Sequence, residues 1–242
     1  MSGEYALKQP PRTTKGTNDH PFTPFTATGQ RLLEMFELLL AHFGPQNWWP
    51  AETPLEVMIG AILTQNTNWT NVEKAISNLK KRGLLSLDRL ISLPEAELAE
   101  EIRPAGYYNI KARRLKNLLH FIADQYGADL TRLFDMKTQP MREALLSING
   151  VGRETADSIV LYAANKPLFV VDAYTFRILS RHGMAPEEAT YDDIQSLFMD
   201  HLPEDIPLYN EFHALIVLTG KNFCRKNPLC AACPLNHWEK NE

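Results

Sequence analysis

From Gly29 onward, apolar residues recur at steps of three and four: Leu32, Leu33, Phe36, Leu39, Leu40 and Phe43. That spacing puts them on one face of a helix, and Gly44 and Pro45 end it. The pattern then repeats with little interruption. Segment 54–67 is apolar enough for a buried helix, 70–81 is amphipathic and closed by Gly83, and 86–93 and 95–103 are short helices parted by Pro94. Residues 109–126 predict a long helix with Leu115, Leu118, Leu119, Ile122 and Ala123 as its apolar stripe. Further helices are predicted over 140–148, 153–164, 173–181, 192–202 and 208–222. Only 168–171 reads as extended, and so short a run makes no sheet. The predicted fold is all-α, with no simple internal repeat.

Residues 1–28 are rich in Pro, Thr and Asn without an apolar period and are expected to be a flexible tail. The helices are expected to form two subdomains. One joins 29–53 to 184–223; the other is 54–183 and contains a helical hairpin over 140–164. A Cys-rich loop over 224–242 follows. A cleft between two such subdomains is the natural place for a ligand.

The 242 residues are 44% hydrophobic, enough for a large core. A net charge of −4 and a pI near 6.0 argue against a protein that coats nucleic acid through overall charge. Local basic patches are not excluded. Arg103, Lys111, Arg113, Arg114 and Lys116 lie in a stretch without acids, and Lys80, Lys81 and Arg82 form a second group. Either fits a solvated helix face as well as a DNA contact. No apolar run approaches the ~20 residues of a membrane span, and the N-terminus lacks a signal-peptide pattern. The expectation is a cytoplasmic monomer with no membrane contact.

Two features carry chemistry. In Leu146-Ser-Ile-Asn-Gly-Val-Gly-Arg-Glu-Thr-Ala156, Gly150 and Gly152 stand one residue apart between two predicted helices. Glycine permits positive φ and close approach, so the backbone N–H groups there can cup a phosphate. A lone Gly-x-Gly is more often a tight turn. Ile148, Val151, Ala156 and Ile159 at hairpin-core positions favour the phosphate-gripping form, which positions DNA without reading its sequence. The second feature is Cys224, Cys230 and Cys233, the only cysteines. Their odd number and tight spacing suit a metal or cluster better than disulfides.

Four segments together resemble the helix-hairpin-helix, Gly/Pro-rich loop, Asp DNA glycosylases of the endonuclease III branch. They are Leu-Thr-Gln-Asn-Thr (63–67), Gly-Tyr-Tyr-Asn-x-Lys-Ala (106–112), Ile-Asn-Gly-Val-Gly-Arg-Glu-Thr-Ala (148–156) and Val-Val-Asp-Ala-Tyr-Thr-Phe-Arg (170–177). The resemblance spans about 30–235. It implies two helical subdomains, duplex DNA as partner, and a damaged base flipped into the cleft between them. It makes Asp172 the catalytic carboxylate, which would stabilise oxocarbenium character on the sugar or orient water. Asp172 also suits the N-cap of the helix that follows, and both roles can hold at once. Gly150, Gly152, Arg153 and Thr155 fall to the DNA-gripping hairpin. Gln65 and Asn66 match the segment that fills the gap left by the flipped base, although capping of the preceding helix would also explain them.

Glu154 departs from endonuclease III, which carries there a lysine that attacks the sugar and permits strand cleavage. Glutamate cannot do this, so a monofunctional enzyme that uses water is expected. Trp48-Trp49-Pro50, Trp69 and Glu154 resemble the pocket of the 3-methyladenine glycosylases of this superfamily. Tryptophan would stack on the base and attract a cationic alkylated purine by cation–π interaction; core packing would equally explain each ring. The three cysteines resemble a [4Fe–4S] loop that has lost its fourth cysteine, with Glu239 near that place and His237 the better nearby ligand. A cluster, a Cys3His zinc site and a loop without metal all fit. The competing functions are an oxidised-pyrimidine glycosylase with lyase activity, a mismatch-adenine glycosylase, and a non-catalytic DNA-binding module. The short sequence beyond Cys233 leaves little room for the extra recognition domain of the second.

Overall fold

The computed structural model describes residues 26–238. Residues 1–25 of the tail predicted over 1–28, and Glu239, lie outside them; Thr26 caps the first helix and Ala27 and Thr28 begin it, because the Thr26 side chain accepts from the Gly29 N–H. Twelve α-helices and no strands occur among the described residues, so the all-α expectation holds. In chain order they are α1 (Ala27–Phe43), α2 (Pro54–Leu63), α3 (Trp69–Lys81), α4 (Leu87–Ser92), α5 (Glu95–Glu101), α6 (Tyr108–Tyr126), α7 (Leu130–Phe134), α8 (Thr138–Leu146), α9 (Arg153–Ser158), α10 (Ala173–Arg181), α11 (Tyr191–Met199) and α12 (Ile206–Asn222).

The departures from periodicity are local and have causes. Helix α2 stops at Leu63 rather than Thr67, because Asn66 takes a left-handed φ of 52° that breaks the helical path. Helix α7 was not predicted; only Leu133 of its five residues is buried, too little for a periodic stripe. After α9 the chain widens into a π-helical turn, Ile159–Ala163, all of it buried. Residues 168–171 are extended but pair with nothing as a strand.

The chain divides into two compact units. One is Ala51–Lys166; the other comprises the described residues 26–50 and 167–238. The sequence reading kept 54–183 together, which would have placed Asp172 and α10 with the hairpin. Instead α10 packs against α12 and belongs with the second unit.

In the first unit α2 is the hub, buried from Leu55 to Leu63. A helix apolar on all sides is a central one. It packs against α3, α6, α9 and the π turn. The second unit has an aromatic core. Phe169 stacks on Phe198 at 3.8 Å between centroids, and the rings of Tyr209 and Phe212 meet it edge-on at 5.6 and 6.0 Å. Such pairs add about 0.5–1.5 kcal/mol each beyond area burial. Because Phe169 lies three residues before Asp172, this core anchors the approach to it. Gln195 donates to the Phe169 carbonyl at 2.6 Å, and the Tyr191 hydroxyl accepts from the Val171 N–H at 3.3 Å.

Candidate active site

Asp172 is the N-cap of α10. Its Oδ1 accepts from the Thr175 N–H at 2.7 Å and the Thr175 hydroxyl at 2.8 Å, in a capping box. One oxygen is therefore fixed by the helix and Oδ2 is left for other work. The capping role read from sequence is real and compatible with catalysis, since it immobilises the carboxylate. Helix α12 comes unusually close to α10: a Cβ on Gly220 would lie 2.2 Å from Tyr174 Cδ1. The close approach aligns two residues that sequence reasoning missed. His213 Nε2 stands 3.8 Å from Asp172 Oδ2, with both side chains about nine-tenths buried. Lys221 lies within the field of Asp172, its Nζ 5.7 Å from the Trp48 ring centroid.

Burial pushes the His213 pKa down; Asp172 opposes that and Lys221 adds to it. Burial likewise lowers the Lys221 ammonium, with Asp172 opposing. No local pattern announces either residue, because both sit more than forty positions from Asp172 on a helix that is largely apolar.

Trp48 and Trp49 are half-buried, their rings edge-on at 6.4 Å. Their loop is tied to α12 through Glu211, whose Oε1 accepts from the Gln46 N–H at 2.6 Å. Burial raises the Glu211 pKa, and the backbone N–H groups of Gln46 and Asn47 counter it. The second unit thus brings Asp172, His213, Lys221 and Trp48 together. The cation–π argument weakens here, because Lys221 already holds the Trp48 face and its charge opposes a cationic base. Trp69 is half-buried at the start of α3 in the first unit.

In the first unit the hairpin is built as expected, with differences. Gly150 takes φ 95°, and a Cβ there would strike Arg114 Cγ at 2.3 Å. Gly152 has φ −92° and needs no special conformation; it caps α9 without a side chain. Arg153 and Glu154 are exposed and Thr155 is buried. Gln65 is tied to the hairpin: its Nε2 donates to Gly150 O at 3.1 Å and Thr155 Oγ1 at 2.9 Å, and its Oε1 accepts from Arg114. That leaves exposed Asn66 as the outward residue of the pair.

Tyr107 joins it as a residue that sequence reasoning passed over. It is 70% exposed and left-handed at φ 47°, in a turn whose Gly106 faces Thr67. A large aromatic held outward in a conformation that disfavours it points to a contact.

The predicted basic stretches divide between two buried lysines and a set of paired surface groups. Lys111 is buried and donates to the carbonyls of Leu63 and Ala105 at 2.7 and 2.8 Å, and burial with the Arg114 charge lowers its pKa to about 8. Lys116 donates to the carbonyls of Leu90 and Ile91. Arg103 pairs with Glu100, Arg113 with Glu95, Lys80 with Glu52 and Glu56, and Arg82 with Glu101. Arg82, Arg103 and Arg113 stay exposed beside these partners and, with Lys81, keep the solvated-face reading.

In the C-terminal loop Cys224 is buried, Cys230 exposed and Cys233 in between. Arg177 Nε donates to Cys224 O at 2.7 Å; Arg181 donates to Arg225 O at 2.7 Å and Cys224 Sγ at 3.3 Å. Burial raises the Cys233 thiol pKa, and the other two cysteines add to the rise. His237 is exposed. The described residues contain no group of three His, Cys, Asp or Glu side chains placed to hold a metal ion. With three cysteines in the whole chain, the donors present do not fit a four-thiolate cluster. Arginine hydrogen bonds from α10 also tie down this loop.

A carboxylate fixed at a helix N-cap after a helical hairpin defines a class that comparison with known proteins identifies. The family profile described as "HhH-GPD superfamily base excision DNA repair protein" matches residues 59–204. The chain belongs to this superfamily and is a base-excision-repair DNA glycosylase, acting on N-glycosyl bonds.

Among its relatives, the protein named "Putative DNA repair glycosylase MJ1434" of Methanocaldococcus jannaschii is 51% identical, over 86% of this chain and 96% of that one. Endonuclease III of Thermotoga maritima is 30% identical, over 77% and 83%. Among solved structures, the H. pylori 3-methyladenine DNA glycosylase bound to 1,N6-ethenoadenine is 29% identical, with TM-score 0.67 over 81% of this chain and 98% of that one. A non-covalent endonuclease III–DNA complex shares the fold at TM-score 0.75 and 24% identity, over 89% and 96%. No helix among the described residues is long and apolar enough to cross a membrane.

Proposed function

We propose that this glycosylase is monofunctional and hydrolyses the N-glycosidic bond of alkylated purines, such as 3-methyladenine, flipped out of duplex DNA. The observation that carries the reading is Asp172, a largely buried carboxylate whose Oδ1 is held by Thr175 while Oδ2 lies outside that capping box. A carboxylate fixed in low-dielectric surroundings stabilises oxocarbenium character without reorganising, and it can orient the attacking water. Glu154 supports hydrolysis, since no amine stands at the hairpin position. The kinship with a 3-methyladenine DNA glycosylase supports the substrate class.

Trp48, Trp49 and Trp69 would stack on the base, and Glu154 would line the pocket. At Trp48 the neighbouring Lys221 charge opposes a cation–π contribution from a positively charged base. The hairpin at Gly150, Gly152, Arg153 and Thr155 would grip phosphate. Asn66 and Tyr107 would occupy the gap that the flipped base leaves, with Gln65 bracing the hairpin. The protein would act as a monomer.

A second reading, an oxidised-pyrimidine glycosylase with lyase activity, draws on one observation: Lys221 puts an amine in the field of Asp172. A panel of damaged duplexes, with released bases identified by mass spectrometry and strand breaks followed in parallel, separates the two. Alkylated purines should be released with the strand intact. Release of oxidised pyrimidines only, with breaks forming as fast and a borohydride-trapped adduct, would replace the first reading by the second.

A further inference from the structure

Asp172 divides its two oxygens between two tasks. Oδ1 is fully engaged by the N–H and hydroxyl of Thr175. Oδ2 faces His213 Nε2 at 3.8 Å. That separation is too long for a hydrogen bond but within the range of an ion pair. The imidazole is rigidly placed: α12 carries it, and the absence of a Cβ at Gly220 lets α12 meet α10 at Tyr174.

We propose that His213 is a positioning residue for base excision: neutral, it bounds the Oδ2 side of Asp172 and leaves the carboxylate's charge to the substrate; protonated, it pairs with Oδ2 and withdraws that charge. The inference rests on Asp172 being the catalytic group.

Two charged side chains bear on the state of His213. Asp172, at the N-cap of α10, favours the imidazolium. Lys221, on α12 itself, disfavours it, as does burial, and the pKa falls below the ordinary imidazole value. The ring is therefore neutral at neutral pH, the state in which the carboxylate works. Lowering the pH protonates His213, and excision should fail on the acid side because an ion pair forms beside the reaction centre.

Single-turnover base release measured from about pH 8 down to the lowest pH at which the protein stays folded tests this. The wild-type rate should fall with one proton on the acid side of about pH 6.5. His213→Gln cannot be protonated. It should stay within about tenfold of wild type at neutral pH and show a flat profile across the window. A Gln variant with the wild-type acid limb, or a wild type that is flat, overturns the proposal.

Ring NMR of His213 provides an arm that needs neither catalysis nor a folded Gln variant. Its titration should coincide with the kinetic limb, and Asp172→Asn should move it to lower pH by removing the carboxylate. An unchanged titration in Asp172→Asn overturns the coupling even if excision is robust. Absence of base release from every duplex at every pH would instead count against the excision reading, and the NMR result would still decide the pairing.

Discussion

Replacing Gly220 with alanine sets two ordinary effects against each other. Inside a helix, alanine is favoured over glycine by about 1 kcal/mol, so propensity alone predicts a more stable protein. Against it stands Tyr174: the new Cβ would lie 2.2 Å from its Cδ1, 2.5 Å from its Cγ and 2.7 Å from its Cβ. Ordinary carbon contacts are about 3.5–4.0 Å. Because the Tyr174 Cβ itself is too close, turning the ring about χ1 does not clear the overlap. Helix α10 or α12 must move by roughly 1 Å, and overpacking of this kind costs about 1–3 kcal/mol.

The overlap is severe and backbone-anchored, so the upper end applies. The net expectation is a loss of about 2 kcal/mol, or about 4–8 °C in Tm for a chain of this size. The same movement displaces Asp172, and a misplacement of about 1 Å costs roughly a hundredfold in rate. Thermal denaturation followed by circular dichroism, together with single-turnover base release, reads both quantities. Tyr174→Ala should restore part of the stability in the double variant, a coupling that a double-mutant cycle measures. If Gly220→Ala is as stable and as active as wild type, the close approach of α10 and α12 does not position the carboxylate.

Asp172→Asn should separate structure from chemistry: asparagine caps a helix as well as aspartate, so Tm should hold while excision falls by at least about 10²-fold. Full activity in that variant would remove Asp172 from the mechanism. Tyr107→Ala should leave stability intact, since the ring is 70% exposed, and weaken binding of a damaged duplex by about 10- to 100-fold, the worth of one stacking contact; unchanged affinity in a binding titration would return Tyr107 to the surface. Incubation with a chelator should leave Tm within about 1 °C, because Arg177 and Arg181 hold the Cys loop; a large fall accompanied by release of iron or zinc would show a metal holding it. Because the folded-state pKa of His213 lies below its unfolded value, the unfolded chain takes up its proton first. His213 therefore opposes unfolding fully above the ordinary imidazole range, and that stability is lost as pH falls. Melting curves across that range should steepen this loss in wild type relative to His213→Gln.

Much of the local architecture was readable from the residues alone. Apolar spacing located eleven of the helices found among the described residues, and short α7 escaped because so little of it is buried. The Asp172 cap was legible for the same reason: an N-cap is decided within four residues, here Asp172 and Thr175. The glycine pair marked the hairpin, although only Gly150 adopts the positive φ that made glycines informative. The basic stretches misled. Charge in sequence does not reveal whether a lysine faces water, and Lys111 and Lys116 turn inward to carbonyls that no linear pattern pairs with them.

The sequence by itself determined the helices, their caps and the hairpin, because each depends on backbone preferences and periodicity over a few residues. Tertiary structure alone decided which side of the domain division Asp172 joins, which cations are already occupied, and what faces its second oxygen. Those outcomes depend on distances between helices. The meeting of α12 with α10 at Gly220 places His213 beside Asp172, and no spacing rule along one helix encodes the neighbours that another helix supplies.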